Sequence, residues 1–353
     1  MIKNSISQFS ERKNAKSFGL LPNGDAVICY TLTKKNGAEL SVINFGATIT
    51  SLKIPISNGK KVDVVLGFET LEDYINSYNL PGSPYIGTIV GRYAGRINNA
   101  EFTLNGKLIS LKKNHGNHCL HGGKECFSTK FWNVKSISEN ENPSISLQYT
   151  SANNEENFPG EMKIEVTYTL TEENELIIKY NAIATEDTII NLTQHSYFNL
   201  DGQNGSVLNQ ELEINSNKIL EVDSENIPSG RFINIENSPF NFTSPKNSPQ
   251  KIDTSFVLES KDEFAASLYN KNNGLKMIVY TDQPSVHVYV GGNCFDIIKG
   301  KENTKYHANS GICFETQNFH DAPNHSHFPN SVLKKGETYL QKTIFKFENV
   351  LSI

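Results

Sequence analysis

The sequence predicts an all-β protein, a large antiparallel β-sandwich with few short helices. Three observations carry this: apolar residues recur with period two, clusters of Gly, Asn and Ser separate the alternating runs, and helical patterns are scarce. The clearest run spans 162–170, where Met162, Ile164, Val166, Tyr168 and Leu170 alternate with Lys163, Glu165, Thr167 and Thr169. Such a run buries one face of a strand and wets the other. Thr171, Glu172, Glu173 and Asn174 supply a turn, and 176–183 reads as the return strand of a hairpin. Shorter runs at 38–43, 211–214, 276–280, 286–290, 311–314 and 338–347 add strands, and their spacing favours two packed antiparallel sheets.

One helix is expected, over 71–78. Leu71, Tyr74, Ile75 and Tyr78 fall on one helical face, Thr70 precedes them as N-cap, and Asp73 follows three residues on. No fixed-period repeat points to a solenoid or propeller. Polar stretches such as 237–250 read as long loops, so residues 21–353 are expected to form a single sandwich domain behind an N-terminal extension, 1–20.

Composition narrows the class. The chain is 37% hydrophobic and 20% charged, with a formal net charge of -5. That balance suits a soluble globular protein. Its lysines are scattered, so no basic face suggests nucleic acid as a partner. No apolar run is long enough to span a membrane, and the N-terminus lacks the apolar core of a signal peptide. The cysteines, Cys29, Cys119, Cys126, Cys294 and Cys313, are odd in number and contain no C-x-x-C pair. Reduced, packed thiols and a cytoplasmic location are the expectation.

Several segments can carry chemistry. Gly311 to Gln317 places Glu315 at the end of an apolar strand, where a carboxylate is partly desolvated and serves better as a base; a solvent-facing strand end is the alternative. In 191–200, alternation puts Thr193, His195, Tyr197 and Asn199 on one face, which suits His195 to proton transfer or to a structural hydrogen bond. Near 117–123, His118, Cys119 and His121 resemble a metal tract but lack a second ligand pair, and Gly122-Gly123 suggests a tight turn presenting His121. The stretch from His320 to His327 reads as a polar loop, with an incidental metal as a minor alternative. Arg92 or Arg96, between glycines spaced four apart, can grip a polyhydroxylated ligand or form a structural ion pair. Asp253, ahead of an apolar run, can anchor hydroxyls or cap a turn.

Taken in order along the chain, these segments resemble the galactose mutarotase (aldose 1-epimerase) family. The resemblance runs through Asn44-Phe45-Gly46-Ala47-Thr48-Ile49, Val64-Val65-Leu66-Gly67-Phe68, Gly91-Arg92-Tyr93-Ala94-Gly95-Arg96-Ile97 and Leu120-His121-Gly122-Gly123. It continues in His195-Ser196-Tyr197-Phe198-Asn199-Leu200 and Phe314-Glu315-Thr316-Gln317-Asn318. It implies a sandwich of the galactose mutarotase type and interconversion of the α and β anomers of free aldohexoses, galactose and glucose among them. It also implies no metal or organic cofactor. By position, Glu315 resembles the family's base and His195 its acid, one on each side of the C1–O5 unit, while Arg96, His121 and Asp253 match positions that hold sugar hydroxyls.

Two positions depart from the family's pattern. Gly95 stands where an Asn usually precedes the sugar-binding Arg, and Pro284-Ser285-Val286-His287 stands where Pro-Gly-Val-Gln is usual. His287 is therefore expected to contact substrate in place of the Gln. The expected partner is a monosaccharide, with the protein a monomer or homodimer. Competing classes are a glycoside hydrolase using Asp253 and Glu315 as paired carboxylates, and a sugar-binding domain without activity.

Overall fold

A computed structural model describes residues 13–292 and 296–350. Cys294 lies outside these residues, as do the first twelve, which make up most of the stretch read as an extension. The strand Ala15–Leu20, at the end of that stretch, pairs antiparallel with Ala26–Thr33 as one edge of a five-stranded sheet.

Two larger antiparallel sheets make the sandwich. The nine-stranded sheet is built around the predicted hairpin, Met162–Leu170 and Glu175–Ala184. It continues outward through Thr338–Asn349, Leu275–Thr281, Ala266–Asn270 and Gln210–Ile214. The six-stranded sheet places Tyr197–Phe198, Ile312–Gln317, Ser285–Val290, Ile252–Val257, Lys218–Val222 and Pro228–Asn234 side by side in that order.

Period-two alternation explains which faces meet. Val166, Ile178, Val279 and Phe345 point inward from the nine-stranded sheet, and Phe256, Val286, Val288, Ile312 and Phe314 meet them from the six-stranded sheet. Phe198 packs 4.8 Å from Phe345 across this core. A few polar contacts also cross it, among them Thr316 Oγ1 to Thr343 Oγ1 at 2.6 Å and Gln341 Nε2 donating to the Thr316 carbonyl at 3.0 Å.

The same alternation decides what the outer face carries. With Phe256, Val286, Val288 and Phe314 inward, Asp253, Ser255, His287, Tyr289, Cys313 and Glu315 take the other face on three adjoining strands. Register sets them in rows: Ser255 opposite His287 and His287 opposite Glu315, then Asp253 opposite Tyr289 and Tyr289 opposite Cys313. An apolar inner face thus obliges a polar outer face here.

The single α-helix among the described residues runs Leu71–Ser77, within the expected 71–78, with the Thr70 side chain accepting from the Asp73 N–H. Leu71 and Tyr74 fix it to a second apolar cluster with Phe68 and Tyr306.

Phe314 is 1% exposed and sits on the strand that carries Glu315. Phe314→Ala should cost about 3–5 kcal/mol through lost burial and the cavity left behind. Urea unfolding checks this, and an unchanged midpoint would show that this face is not the core.

Candidate functional site

A cavity of about 390 Å³ opens over the outer face of the six-stranded sheet, a size that suits a small ligand. Its floor is set by Glu315, His195 and His121, and its far wall by Asp253, His287 and His320. Arg96 lies between them, and Tyr85 packs over the imidazoles, its ring 4.9 Å from His121 and 6.1 Å from His195.

The His195 segment is not the continuous strand that alternation suggested. Thr193–Gln194 pairs with Ile89–Val90, and Tyr197–Phe198 pairs with Ile312 and Cys313, so the chain changes partners at His195 and Ser196. His195 is held through its own backbone, its N–H donating to Thr88 and its carbonyl accepting from Gly87, each at 2.9 Å. The expectation of one shared face therefore holds for His195 and Tyr197, whose rings lie 5.3 Å apart beside the cavity. It fails for Thr193 and Asn199, which are buried elsewhere; Asn199 is consumed by Ser310 and Gln210.

Glu315 is 2% exposed, which settles the strand-end alternative in favour of burial. Its Oε1 lies 3.4 Å from His195 Nε2, while Oε2 is buried without a hydrogen-bond partner among the described residues. A buried carboxylate oxygen left unpaired is costly, so its place is at a ligand. The two groups are therefore direct neighbours in the cavity lining. His195 Nδ1 lies 3.6 Å from the Cys313 sulfur. Burial, with Glu315 adding to it, pushes the Cys313 thiol well above its ordinary pKa. The thiol lies against Nδ1, so Nε2 is the ring nitrogen turned towards Glu315 and the cavity.

His121 occupies the turn that Gly122 and Gly123 make possible, with φ of 53°, 86° and 105° at the three residues. Gly122 is required, because a Cβ there would fall 2.2 Å from the Gly91 carbonyl oxygen. His121 and Gly95 exchange two bonds: the His121 N–H donates to the Gly95 carbonyl at 3.0 Å, and the Gly95 N–H donates to His121 Nδ1 at 3.2 Å. An accepting Nδ1 places the ring proton on Nε2. Burial, followed by His195 and Arg96, lowers the His121 pKa well below the ordinary imidazole value, so this ring is a neutral donor.

The two arginines separate cleanly. Arg92 is 2% exposed and donates to the carbonyls of Pro159, Gly160 and Ala152 and to the Ser151 hydroxyl, a structural role. Burial, partly offset by Glu155, lowers its pKa to about 10. Arg96 faces the cavity with its Nε unpartnered.

On the far wall, His287 Nε2 meets Asp253 Oδ1 at 2.9 Å, and its Nδ1 meets Ser255 Oγ at 2.9 Å. Burial works against charge on His287, but the bond to Asp253 and the field of Glu315 prevail and raise its pKa. Asp253 resists burial for the same reason, and its pKa is driven below the ordinary carboxylate range by His287. Both ring nitrogens of His287 are thereby engaged by the protein, and Asp253 Oδ2 also accepts from Asn226 at 3.2 Å.

His320 was read as part of a polar loop and is instead 4% exposed in the cavity wall, its ring 4.7 Å from that of His287. Its proximity to Glu315, just past the same strand, was the signal in the sequence. His325 and His327 turn the other way and pack on Phe328 at 4.8 and 4.7 Å. No metal-holding group forms along 320–327 among the described residues; the group that does form is His121, His195 and Glu315, with ligand atoms within 4.8 Å of one another.

Comparisons with known proteins bear on this arrangement. Residues 29–346 match the family model described as aldose 1-epimerase. Galactose mutarotase of Bos taurus is 36% identical over 341 residues, covering 94% of this chain and 97% of that one. Aldose 1-epimerase of Haemophilus influenzae is 35% identical over 343 residues, covering 93% and 97%. Among solved structures, an aldose epimerase homologue from C. elegans superposes with a TM-score of 0.83 at 30% identity, covering 92% of this chain and 99% of that one.

Two imidazoles and a carboxylate that converge on one point are also a good donor set for zinc. Added Zn²⁺ should therefore inhibit reversibly and in competition with sugar. Steady-state kinetics with and without chelator test this, and full activity in millimolar zinc would show that the three donors do not converge.

Proposed function

The chain belongs to the aldose 1-epimerase family and is an isomerase that interconverts the anomers of aldoses, and on that premise we propose that Glu315 is its base and His195 its acid. The observation that supports this most is the contact of Oε1 and Nε2 at 3.4 Å in a buried cavity floor. In a cyclic aldose the hydroxyl O1 and the ring oxygen O5 are bonded to the same carbon. A base and an acid in contact can therefore reach both.

Glu315 takes the proton from O1, and the O–H electron pair becomes the second C1–O1 bond. The C1–O5 bond breaks, and O5 takes a proton from His195 Nε2. The open-chain aldehyde turns about C1–C2 and presents its other face. His195 then recovers the proton from O5 as it attacks C1, and O1 recovers its proton from Glu315. Protons and electrons balance within the two side chains, so turnover leaves the protein unchanged. His121, as a neutral Nε2 donor, and Arg96 hold sugar oxygens and the charge that develops on them. Asp253 accepts from hydroxyls at the other end. His287, whose nitrogens are spent on Asp253 and Ser255, acts on substrate by fixing that carboxylate and by lining the wall with its ring.

Free aldohexoses, glucose and galactose among them, are the proposed substrates. No helix among the described residues is long and apolar enough to cross a membrane. The buried thiols of Cys119, Cys126 and Cys313, none in a disulfide, support a cytoplasmic setting. The state of Asp253 weighs against a glycoside hydrolase. A general acid of that chemistry needs a raised pKa, and Asp253 is shifted the other way by its imidazole partner, which removes Asp253 from the acid role.

Polarimetry of freshly dissolved α-D-glucose and α-D-galactose tests the assignment. Glu315→Gln and His195→Asn should each lower kcat by about 10²–10⁴-fold while sugar binding survives. Near-normal turnover in either variant would overturn its role.

The Asp253–His287 pair predicts a pH limb. The raised His287 pKa means that its proton, and the charge pairing, persists at low pH and is lost as pH rises through that value. Asp253, lowered, loses its charge only on strong acidification. KM should therefore rise on the alkaline side while kcat changes less. In His287→Gln that limb should vanish, and a limb that survives would assign it to another group.

A further inference from the structure

His320 has the properties of a binding group with no function yet attached to it. Its ring is 4% exposed, it faces the cavity, and its Nε2 is buried without a hydrogen-bond partner among the described residues. An unpaired polar atom in such a place costs free energy in the absence of ligand. The ring is also held firmly. It stacks on His287 with a centroid distance of 4.7 Å and a tilt of 34°. His287 is itself locked by Asp253 and Ser255. The next residue, Asp321, donates its backbone N–H to the Arg96 carbonyl at 2.8 Å. His320 is therefore stitched to the segment that carries Arg96.

Gly95 explains how that ring fits. A Cβ on residue 95 would lie 2.4 Å from His320 Cδ2 and 2.9 Å from its Nε2, closer than any tolerated contact. A side chain at 95 and the imidazole of His320 thus exclude each other. The backbone of Gly95, with φ of 84°, lies in the left-handed region that favours Gly and admits Asn. Position 95 is where the family resemblance expects an amide side chain beside the sugar-binding Arg. The imidazole fills that place from a different part of the chain.

We propose that His320 is a sugar-contacting, specificity-determining residue, whose Nε2 bonds an aldose hydroxyl beside Arg96 in the space that Gly95 leaves open. The proposal rests on the mutarotase reading of the cavity. The ring is neutral, because burial and the neighbouring His287 and Arg96 hold its pKa well below the ordinary imidazole value. A neutral imidazole can accept from a hydroxyl or donate to one according to its tautomer. It therefore discriminates by position and direction, with no preference for an anionic sugar.

Three variants and two epimeric sugars form the test. His320→Phe keeps a ring against His287 but has no polar atom. It should raise KM by about 2- to 10-fold, leave kcat within about 2-fold, and change the ratio of KM for glucose and galactose. His320→Ala should do the same. Gly95→Asn alone should weaken binding more than either, because the amide meets the ring, whereas Gly95→Asn combined with His320→Ala should recover much of the lost affinity. Thermal melting of each variant separates lost binding from lost folding. Calorimetric titration with each sugar reads affinity directly, so the proposal is tested apart from turnover. Absence of acceleration by the wild-type protein would overturn the mutarotase reading, whereas wild-type KM and affinity in His320→Phe would overturn the role of His320. A double variant no better than Gly95→Asn would show that the two positions do not compete for one space.

Discussion

A buried imidazole 3.4 Å from a buried carboxylate is the contact on which the rest of this site depends. In the proposed reaction two oxygens on one sugar carbon lose and gain protons, and a base and an acid in contact can reach both. The fold meets that constraint from two directions. Glu315 comes from the second strand of the six-stranded sheet, where alternation fixes its face. His195 comes from a break between two short strands, where backbone bonds to Thr88 and Gly87 fix its position. Neither placement depends on a flexible loop, and near-fixed geometry is what the proposed acid–base pair needs.

Charge around the pair is arranged by the same sheet. Asp253 and His287 sit on adjoining strands and hold each other charged, which leaves one ordered anion-and-cation wall rather than two unpaired buried groups. His121 and His320, stripped of water and facing positive neighbours, stay neutral. The cavity thus contains imidazoles in different settings: His287 paired with a carboxylate, His121 and His320 held neutral, and His195 in contact with Glu315. Burial, partner and backbone contact sort them.

Much of this was legible in the sequence because strands with one buried face repeat every second residue. The hairpin at Met162–Leu170 and Glu175–Ala184 declares itself that way, the helix at Leu71–Ser77 by its helical spacing and capping Thr70, and the strand bearing Glu315 as a short apolar run. The ordered motifs led to Glu315, His195, Arg96, His121 and Asp253, and these meet in one cavity. What alternation could not show was the break at His195, because changes of strand partner depend on distant segments. Nor could composition place His320, since a stretch rich in His, Asp, Asn and Pro looks solvated whether or not its first residue turns inward. The pairing of His287 with Asp253 was equally hidden: it depends on register between strands thirty-odd positions apart. In the proposed mechanism it makes His287 the residue that fixes Asp253.

The central claim is that Glu315 and His195 act on two oxygens of a single carbon. It is tested most directly by a crystal structure of Glu315→Gln with galactose bound. The account predicts C1 over the cavity floor, with O1 in hydrogen-bond contact with residue 315 and O5 with His195 Nε2. A sugar bound with C1 at the Asp253 wall, or with O1 and O5 both beyond reach of this pair, would contradict it.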